Sequence, residues 1–265
     1  MNSPFFDSLT HVSPDGTWLG RNHFDASLDR LLKEAGKISG YRACLVNIHG
    51  YQDNAYLEEV AKEYPELFVP IAGFDPSTHE TPHSIRKELS ELYERNFAGI
   101  KLHPRLNGYD PLDNRALYAI QEAARFNLVV FVDTLFRQLS ITTKHTPDVI
   151  DKIAQACPDT KIILLHGGGT SMLDVYEIVR MRSNLMLDLS FSMMRYRGSS
   201  LDMDIRFICR TLDQRMTLGS DFPEYTPREC LEVALGIVDG LPEEKINNIL
   251  HNNLHNMLHD WLSRN

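Results

Sequence analysis

The chain has 265 residues, a length typical of one α/β barrel. Apolar residues make up 43% of the chain and charged residues 24%, which is ordinary for globular proteins and excludes disordered and collagen-like chains. The net charge of −9 gives no basic surface for nucleic acid.

The cysteines, the first residues and the lengths of the apolar runs indicate the cellular compartment of the protein. The four cysteines lie far apart and form no CxxC pair, as expected for reduced thiols rather than disulfides or a zinc knuckle. The first residues lack the basic and apolar regions of a signal peptide, and no run of about 18 apolar residues occurs. We therefore expect a cytoplasmic protein with no membrane or nucleic-acid partner.

Eight short apolar runs, rich in Val, Ile, Leu and Phe, predict eight strands. They cover residues 5–12, 43–50, 68–75, 99–104, 128–134, 161–169, 185–191 and 215–222. Their near-continuous apolarity is typical of parallel strands that are buried on both faces. Successive runs start about 30 residues apart, which suits a strand, a helix and a right-handed return to the next strand.

Helical patterns occupy the segments between these runs. Residues 25–39, for example, carry apolar side chains at intervals of three and four. Helix starts are predicted at three Thr-Pro pairs, beginning at Thr81, Thr146 and Thr226, because a Thr oxygen caps a free amide and Pro fits the first turn. Glu229 lies three residues after Thr226, which predicts a capping box.

The alternation predicts one α/β domain over residues 1–265, a (β/α)8 TIM barrel with an extra C-terminal helix over 242–265. No linker or abrupt change in composition divides the chain. An open, doubly wound sheet is the alternative, but its GxGxxG fingerprint is absent after the first strand.

Polar side chains stand at the ends of all eight predicted strands. In chain order they are His11, His49, Asp75, Lys101 with His103, Asp133, His166, Asp188 and Asp221. Active sites of barrels lie where strands end, and unpaired buried polar groups are costly. We therefore expect several of these groups to converge on a ligand. Lys101 and His103 are two residues apart and share one face of their strand.

Four segments, in this order, resemble the amidohydrolase superfamily, in its amidohydrolase-related branch of TIM-barrel hydrolases and decarboxylases. They are GIKLHP at 99–104, LLHGGG at 164–169, LGSDFP at 218–223 and the tail INNILHNNLHNML. The resemblance covers nearly the whole chain. It implies a metal-dependent hydrolase fold with its ligands at strand ends.

The metal-ligand pattern of that family is only partly present. Its first-strand His-x-His pair falls on Leu9 and His11, and its fifth-strand His falls on Asp133. The family's sixth-strand His and eighth-strand Asp match His166 and Asp221. The resemblance thus implies one divalent metal ion, zinc or manganese, held by His11, Asp133, His166 and Asp221. A two-metal site is not expected, and some relatives of this branch hydrolyse lactones without a metal.

We predict hydrolysis of a C–O or C–N bond in a lactone, ester or amide. In this interpretation Asp221 is the general base on water. His166, His103 and Lys101 complete the predicted catalytic set, with His103 and Lys101 placed to bind the oxyanion.

Arginines in the loops after the strands favour a small, anionic substrate. We assign substrate binding to Arg105, Arg137 and Arg195, because guanidinium groups grip carboxylates with two hydrogen bonds. Ordinary surface ion pairs are the alternative for these arginines. A homodimer is the default expectation for the assembly.

Two other functions remain open at this point. Because Leu9 and Asp133 replace expected ligands, the barrel could instead bind a metabolite without turning it over. A decarboxylase is the other alternative, since the branch contains decarboxylases.

Overall fold

The eight predicted strands form a closed barrel. The computed structural model describes residues 4–21, 23–136 and 146–264. In this part of the chain eight parallel strands follow one another in sequence order around one sheet. They are β1 Phe5–Thr10, β2 Tyr41–Val46, β3 Phe68–Gly73, β4 Gly99–Leu102, β5 Val129–Asp133, β6 Ile162–Leu165, β7 Leu185–Asp188 and β8 Met216–Thr217. Ser8 N donates to Leu218 O at 3.2 Å, so β1 meets the end of β8 and the predicted TIM barrel is confirmed.

Helices cover the outside of this barrel. Those of the described residues are α1 Leu28–Ala35, α2 Asn54–Glu63, α3 Pro82–Glu94, α4 Pro104–Asn107, α5 Asn114–Arg125, α6 Pro147–Ala156, α7 Met172–Met181, α8 Ser192–Arg195, α9 Leu201–Thr211, α10 Pro227–Val238, α11 Glu243–Asn247, α12 Asn253–Met257 and α13 His259–Leu262. None of these helices has the length and apolar character that crossing a membrane requires.

The predicted caps form at two of the three Thr-Pro starts. Thr81 accepts a hydrogen bond from Ser84 N at the start of α3. Thr226 and Glu229 form the predicted capping box at the start of α10. Thr146 precedes α6 without a side-chain cap, so Pro147 alone marks that helix start.

Strand residues alternate between two apolar layers. Ile100 and Leu102 of β4 face outward and pack in the layer shared with the helices. Inward-facing side chains such as Val129 and Phe131 fill the centre of the barrel. The predicted C-terminal helix is broken at Leu258, and its Leu254, Leu258 and Trp261 join this inner layer. This segment therefore closes the bottom of the barrel.

All eight strands end before the apolar runs that predict them, and left-handed residues follow β6 and β8. After β6, the backbone turns at His166 and continues through Gly167, Gly168 and Gly169, all with positive φ. A strand cannot continue through left-handed residues, so the run to residue 169 is divided into a strand and a turn. Asp221 also has a positive φ of 56°, which ends the extended segment after β8.

An irregularity in β1 sets the direction of its last side chains. Asp7 pairs with Ala43, whereas Thr10 pairs with Leu45, so β1 contains one more residue than β2 over this interval. A bulge of this kind changes which face the following residues occupy. As a result Leu9 packs in the inner layer and His11 reaches the mouth of the barrel above it.

Gly99 gives a test of how tightly the strands pack. A methyl group on Gly99 would lie 2.2 Å from Val129 O of the neighbouring strand, so we expect Gly99→Ala to lower the free energy of unfolding by about 3 kcal/mol. Denaturant unfolding measures this loss. Gly236 lies at an exposed position of α10, where an added methyl group would meet nothing within 4 Å. Gly236→Ala should therefore be neutral or stabilising by up to about 1 kcal/mol. Equal effects of the two changes would contradict this description of the barrel.

Candidate active site

A cavity of about 300 Å³ opens at the end of the barrel where the strands end. The cavity combines cationic, imidazole, carboxylate and apolar side chains. They are His11, Trp18, Leu19, Arg21, His23, Ile48, Tyr51, Lys101, His103, Arg105, Leu106, Leu135, His166, Phe191, Asp221 and Glu224. The mouth of the barrel thus gathers polar groups from several strand ends into one pocket.

His11 and Asp221 face each other on one side of this pocket. His11 Nδ1 lies against the carbonyl oxygen of Val46, which can only accept, so Nδ1 carries the proton of the neutral ring. Burial, together with the charge of Lys101, lowers the pKa of His11 to about 4. Nε2 therefore presents a lone pair. It lies 3.5 Å from Asp221 Oδ1 and has no hydrogen-bond partner among the described residues.

The Asp221 carboxyl is ionised at neutral pH despite being deeply buried. Burial alone would raise its pKa, but the contact with His11 and the charges of His166 and Lys101 lower it below the usual range. His11 Nε2 and Asp221 Oδ1 are consequently two acceptors that face one another. Such a pair can take the O–H groups of one small donor molecule, such as water.

Asp133 lies beneath the pocket and holds three of its lining side chains. Arg105 donates through Nε to Oδ2 at 3.3 Å and through Nη2 to Oδ1 at 3.2 Å. Nε2 atoms of His166 and His103 lie 3.5 and 3.6 Å from Oδ1. Burial by itself would raise the pKa of Asp133, but His103, Arg105 and His166 together lower it. Asp133 is therefore a fixed negative charge.

Lys101 is a buried cation without a direct partner. Its side chain points into the barrel from β4 and lines the pocket together with His103, as the alternation along β4 predicts. Nζ makes no hydrogen bond or ion pair with any described residue. Burial lowers the pKa of Lys101 to about 8, against the opposing charges of Asp221 and Asp133. The ammonium group is thus free to bind an anionic group in the pocket.

Two further buried carboxyl groups, those of Asp188 and Asp7, hold the backbone beneath the site. Asp188 accepts hydrogen bonds from the backbone N–H groups of His166 and Ser190, so it fixes the turn that carries His166. Asp7 accepts from Ser220 N at 2.8 Å, next to Asp221. Burial raises the pKa of Asp7 to about 7 and also raises that of Asp188.

Aromatic rings form two walls of the pocket. Trp18 packs on His11 with ring centroids 4.7 Å apart, and its Nε1 donates to Glu224 Oε1 at 2.9 Å. Phe191 has φ 60° and ψ −55°, and the N–H of Ser192 donates to Ser190 O across it. This is a γ-turn, a strained conformation for a phenylalanine. It places the ring edge-on to His166, at 5.9 Å between centroids.

The structure brings together most, but not all, of the predicted site residues. The pocket is lined by His11, Lys101, His103, Arg105, His166 and Asp221. Asp133 lies one layer deeper. Arg195 is exposed and lines a smaller adjoining cleft with Gly169 and Tyr196. Arg137 falls outside the described residues. Asp75 caps a short turn by accepting from Ser77 N, and His49 does not line the pocket.

Sequence reasoning missed Glu224, Arg21 and His23, which also line the pocket. Glu224 lies three residues after Asp221, and that proximity was the available signal. Arg21 lies in a small turn in which Trp18 and Arg21 exchange backbone hydrogen bonds. No periodicity marks such a turn, so its inward direction cannot be read from the sequence.

The donor arrangement does not fit the predicted metal ion. Among residues 4–21, 23–136 and 146–264, no three His, Cys, Asp or Glu side chains gather into a set that could hold one. The predicted ligands fall into two separate pairs, His11 with Asp221 and His166 with Asp133. Both Asp133 oxygens face Arg105. Arg105 thus already balances the charge of Asp133, and zinc needs three or four convergent donors.

The burial of Lys101 has an expected effect on the stability of the folded protein. Its pKa is about 8 when folded and 10.5 as an ordinary lysine, so the charged form is penalised in the folded protein below pH 8. We expect Lys101→Met to raise the free energy of unfolding at pH 7 by about 3 kcal/mol. The wild-type value should rise from pH 8 to 10.5, where the folded protein has lost this proton. The gap between the two proteins should therefore close over that range in denaturant titrations. A gap that does not change with pH would contradict a penalised charge at Lys101.

Comparisons with known structures place the chain among TIM barrels. An uncharacterised TIM-barrel protein from Bordetella bronchiseptica is 18% identical, with a TM-score of 0.80 over 97% of this chain and 99% of that one. A probable 2-pyrone-4,6-dicarboxylic acid hydrolase from Acinetobacter baumannii, with citric acid bound, is 14% identical, with a TM-score of 0.72 over 98% and 100%.

A 5-carboxyvanillate decarboxylase from Novosphingobium aromaticivorans, complexed with manganese and 4-hydroxy-3-methoxy-5-nitrobenzoic acid, is 11% identical. Its TM-score is 0.72 over 97% of this chain and 96% of that one. At these identities the likeness shows the fold alone. No curated protein matches the sequence.

The family model for amidohydrolases matches residues 18–255. That match spans most of the barrel, including the residues of the pocket from Trp18 to Glu224. It also agrees with the segments that predicted the resemblance from the sequence. The chain belongs to the amidohydrolase family.

Proposed function

We propose that this protein hydrolyses a lactone, ester or amide bond in a small, anionic substrate. The observation that carries the proposal is the His11–Asp221 pair, in which two acceptor atoms lie 3.5 Å apart inside the pocket. The free cation of Lys101 lines the same pocket. A base that faces a cation across one cavity suits attack of water on a carbonyl group.

Asp221 is the general base in this mechanism. Water bound between Asp221 and His11 gives its proton to the Asp221 carboxylate as its oxygen attacks the carbonyl carbon. His11 stays neutral and accepts the second O–H, because its Nδ1 proton is held by the Val46 carbonyl. The pair therefore fixes both the position and the direction of the water.

Lys101 and His103 stabilise the oxyanion that the attack produces. The Lys101 ammonium has no competing partner among the described residues, so its charge is available to the developing negative charge. His103 carries its proton on Nε2, since its Nδ1 accepts from Leu106 N. Nε2 lies 3.6 Å from Asp133 Oδ1, too far for a hydrogen bond, so its N–H remains available to the oxyanion. Both side chains come from β4 and therefore lie on the same side of the substrate.

The arginines and His166 complete the proposed site. Arg105 uses Nε and Nη2 on Asp133, which leaves Nη1 for a carboxylate of the substrate. Arg195, in the adjoining cleft, would bind a second acidic group that extends beyond the main pocket. His166, fixed by Ser190 O at 3.1 Å, lines the pocket and would contact the substrate there.

This mechanism assigns no step to a metal ion. The family contains metal-dependent enzymes, and the manganese complex among the similar structures is one example of such a site. In this proposal the Lys101 ammonium supplies the positive charge beside the substrate carbonyl, and Arg105 binds a carboxylate of the substrate. We therefore propose that the chain's own cations act in hydrolysis.

Decarboxylation is the second candidate. It is favoured by the apolar side of the pocket, formed by Ile48, Leu135 and Phe191, because a carboxylate placed in apolar surroundings loses CO₂ more readily than one in water. Incubation in ¹⁸O-labelled water separates the two reactions. Hydrolysis places the label in the product acid, whereas decarboxylation releases CO₂.

Asp221→Asn tests the proposed base. An amide cannot take the proton of water, so we expect kcat on lactones, esters and amides to fall by about 10²- to 10⁴-fold. Screening of small carboxylate-bearing substrates with purified wild-type protein identifies the substrate for this measurement. Asp159→Asn, an exposed carboxylate outside the pocket, is the matched control. Turnover of the Asp221 variant at the control's rate would remove Asp221 from the mechanism, and metabolite binding without turnover would leave both proteins inactive.

The charge of Lys101 predicts a basic limit to activity. Because its pKa is about 8, the cation that stabilises the oxyanion is lost as the pH rises through that value. With a p-nitrophenyl ester, whose leaving group needs no proton, we expect kcat/KM to decline above pH 8, in a profile measured from pH 6 to 10. Lys101→Arg keeps the charge at high pH and should move the decline upward, although at a lower rate. An unchanged position of the limit in this variant would assign it to another group.

A further inference from the structure

Glu224 is a second carboxyl group in the pocket, and the mechanism above does not use it. Glu224 follows Asp221 by three residues, and its backbone N–H donates to Asp221 O at 2.9 Å. One carboxyl oxygen, Oε1, accepts from Trp18 Nε1 at 2.9 Å. The other oxygen has no partner among the described residues, and the side chain lines the same cavity as Asp221.

The two carboxyl groups lie in different surroundings. Asp221 is buried beside His11 and Lys101, which favours its ionised form. Glu224 is half-buried, and burial together with the charge of Asp221 raises its pKa, while Trp18, His23 and Arg195 act in the opposite direction. Tyr225 is the remaining titratable neighbour. Two carboxyl groups whose protonation is pushed apart in this way are suited to opposite roles, one as base and one as acid.

We propose that Glu224 is a catalytic acid that donates a proton to the leaving group of the substrate, while Asp221 receives the proton of the attacking water. This inference rests on the hydrolysis proposed above. Its basis is geometric. Both carboxyl groups line one cavity from a single short turn, and the bond to Trp18 holds one oxygen of Glu224 and leaves the other without a partner among the described residues.

The proton transfers balance over one cycle. Water attacks the carbonyl carbon, its proton passes to Asp221, and the carbonyl electrons form the oxyanion beside Lys101. When the oxyanion collapses, the C–O or C–N bond breaks and its electron pair stays on the leaving atom. That atom takes the proton of the Glu224 carboxyl. The products are an acid and an alcohol or amine, and the proton on Asp221 returns to Glu224 through solvent.

The alternative role for Glu224 is to hold Trp18 against His11. Glu224→Gln separates the two roles, because the amide oxygen still accepts from Trp18 Nε1 but the side chain has no acidic proton to donate. Glu232→Gln, an exposed carboxylate in α10 paired with Arg228, is the matched control and should behave as wild type.

The experiment compares leaving groups. Methyl and p-nitrophenyl esters of one carboxylate-bearing acyl group are tested with wild type, Glu224→Gln and Asp221→Asn. Methoxide must be protonated as it leaves, whereas p-nitrophenolate is stable without a proton. We expect Glu224→Gln to lower kcat/KM about a hundredfold or more for the methyl ester and to leave that of the p-nitrophenyl ester nearly unchanged. Asp221→Asn should lower both.

Equal losses on the two esters in Glu224→Gln, with Asp221→Asn inactive, would overturn the acid role and leave the hydrolase intact. An unaffected Glu224→Gln would overturn it as well. If wild type hydrolysed neither ester nor any related lactone or amide, the proposed function would fail, and this inference would fail with it.

A second measurement needs no substrate. The chain has two tryptophans, and the difference in fluorescence between wild type and Trp18→Phe isolates Trp18. Because Trp18 also stacks on His11, we expect a pH titration of this signal to show a transition near pH 4 from His11 and a second one at a higher pH than an ordinary glutamate gives. Glu224→Gln should abolish only the second transition. A second transition that persists in Glu224→Gln, or its absence from wild type, would show that Glu224 is not held as an acid beside Trp18.

Discussion

The negative charge of Asp133, fully buried at the mouth of the barrel, is the constraint around which the pocket is organised. A buried carboxylate without partners would cost several kcal/mol. Arg105 contacts both of its oxygens, and His103 and His166 face it from the adjacent strand ends. In satisfying this one charge, the barrel fixes the positions of three side chains that line the cavity.

The same principle explains why the pocket has a free cation and a free base. Arg105 forms an ion pair with Asp133. Lys101 and Asp221 form no ion pair with each other, so both remain available to a substrate. Asp7 and Asp188 are held by backbone N–H groups and hydroxyl groups, and Lys101 forms no ion pair with either. The interior thus separates the charges that hold the structure from those that face a substrate.

The barrel could be predicted from the sequence because its signals are repeated and local. Apolar runs about 30 residues apart defined the strands, and alternation along β4 correctly placed Lys101 and His103 on one face, which lines the pocket. The end of β6 was misplaced because left-handed residues, such as Gly167, stop a strand without altering its hydrophobicity. Asp133 acts as an internal anchor because Arg105, in the helical turn after β4, reaches across to it. No pattern in the sequence indicates that contact. Glu224 was overlooked for a related reason, since only the packing of Trp18 directs it inward.

The C-terminal segment has a consequence for how the molecule is made. Leu254, Leu258 and Trp261 supply the floor of the barrel interior, yet they follow all eight strands along the chain. During synthesis the strands therefore precede the segment that covers their inner layer at one end, and an open apolar interior favours association with other chains. The docking of residues 254–261 is consequently the step that removes this apolar surface from solvent.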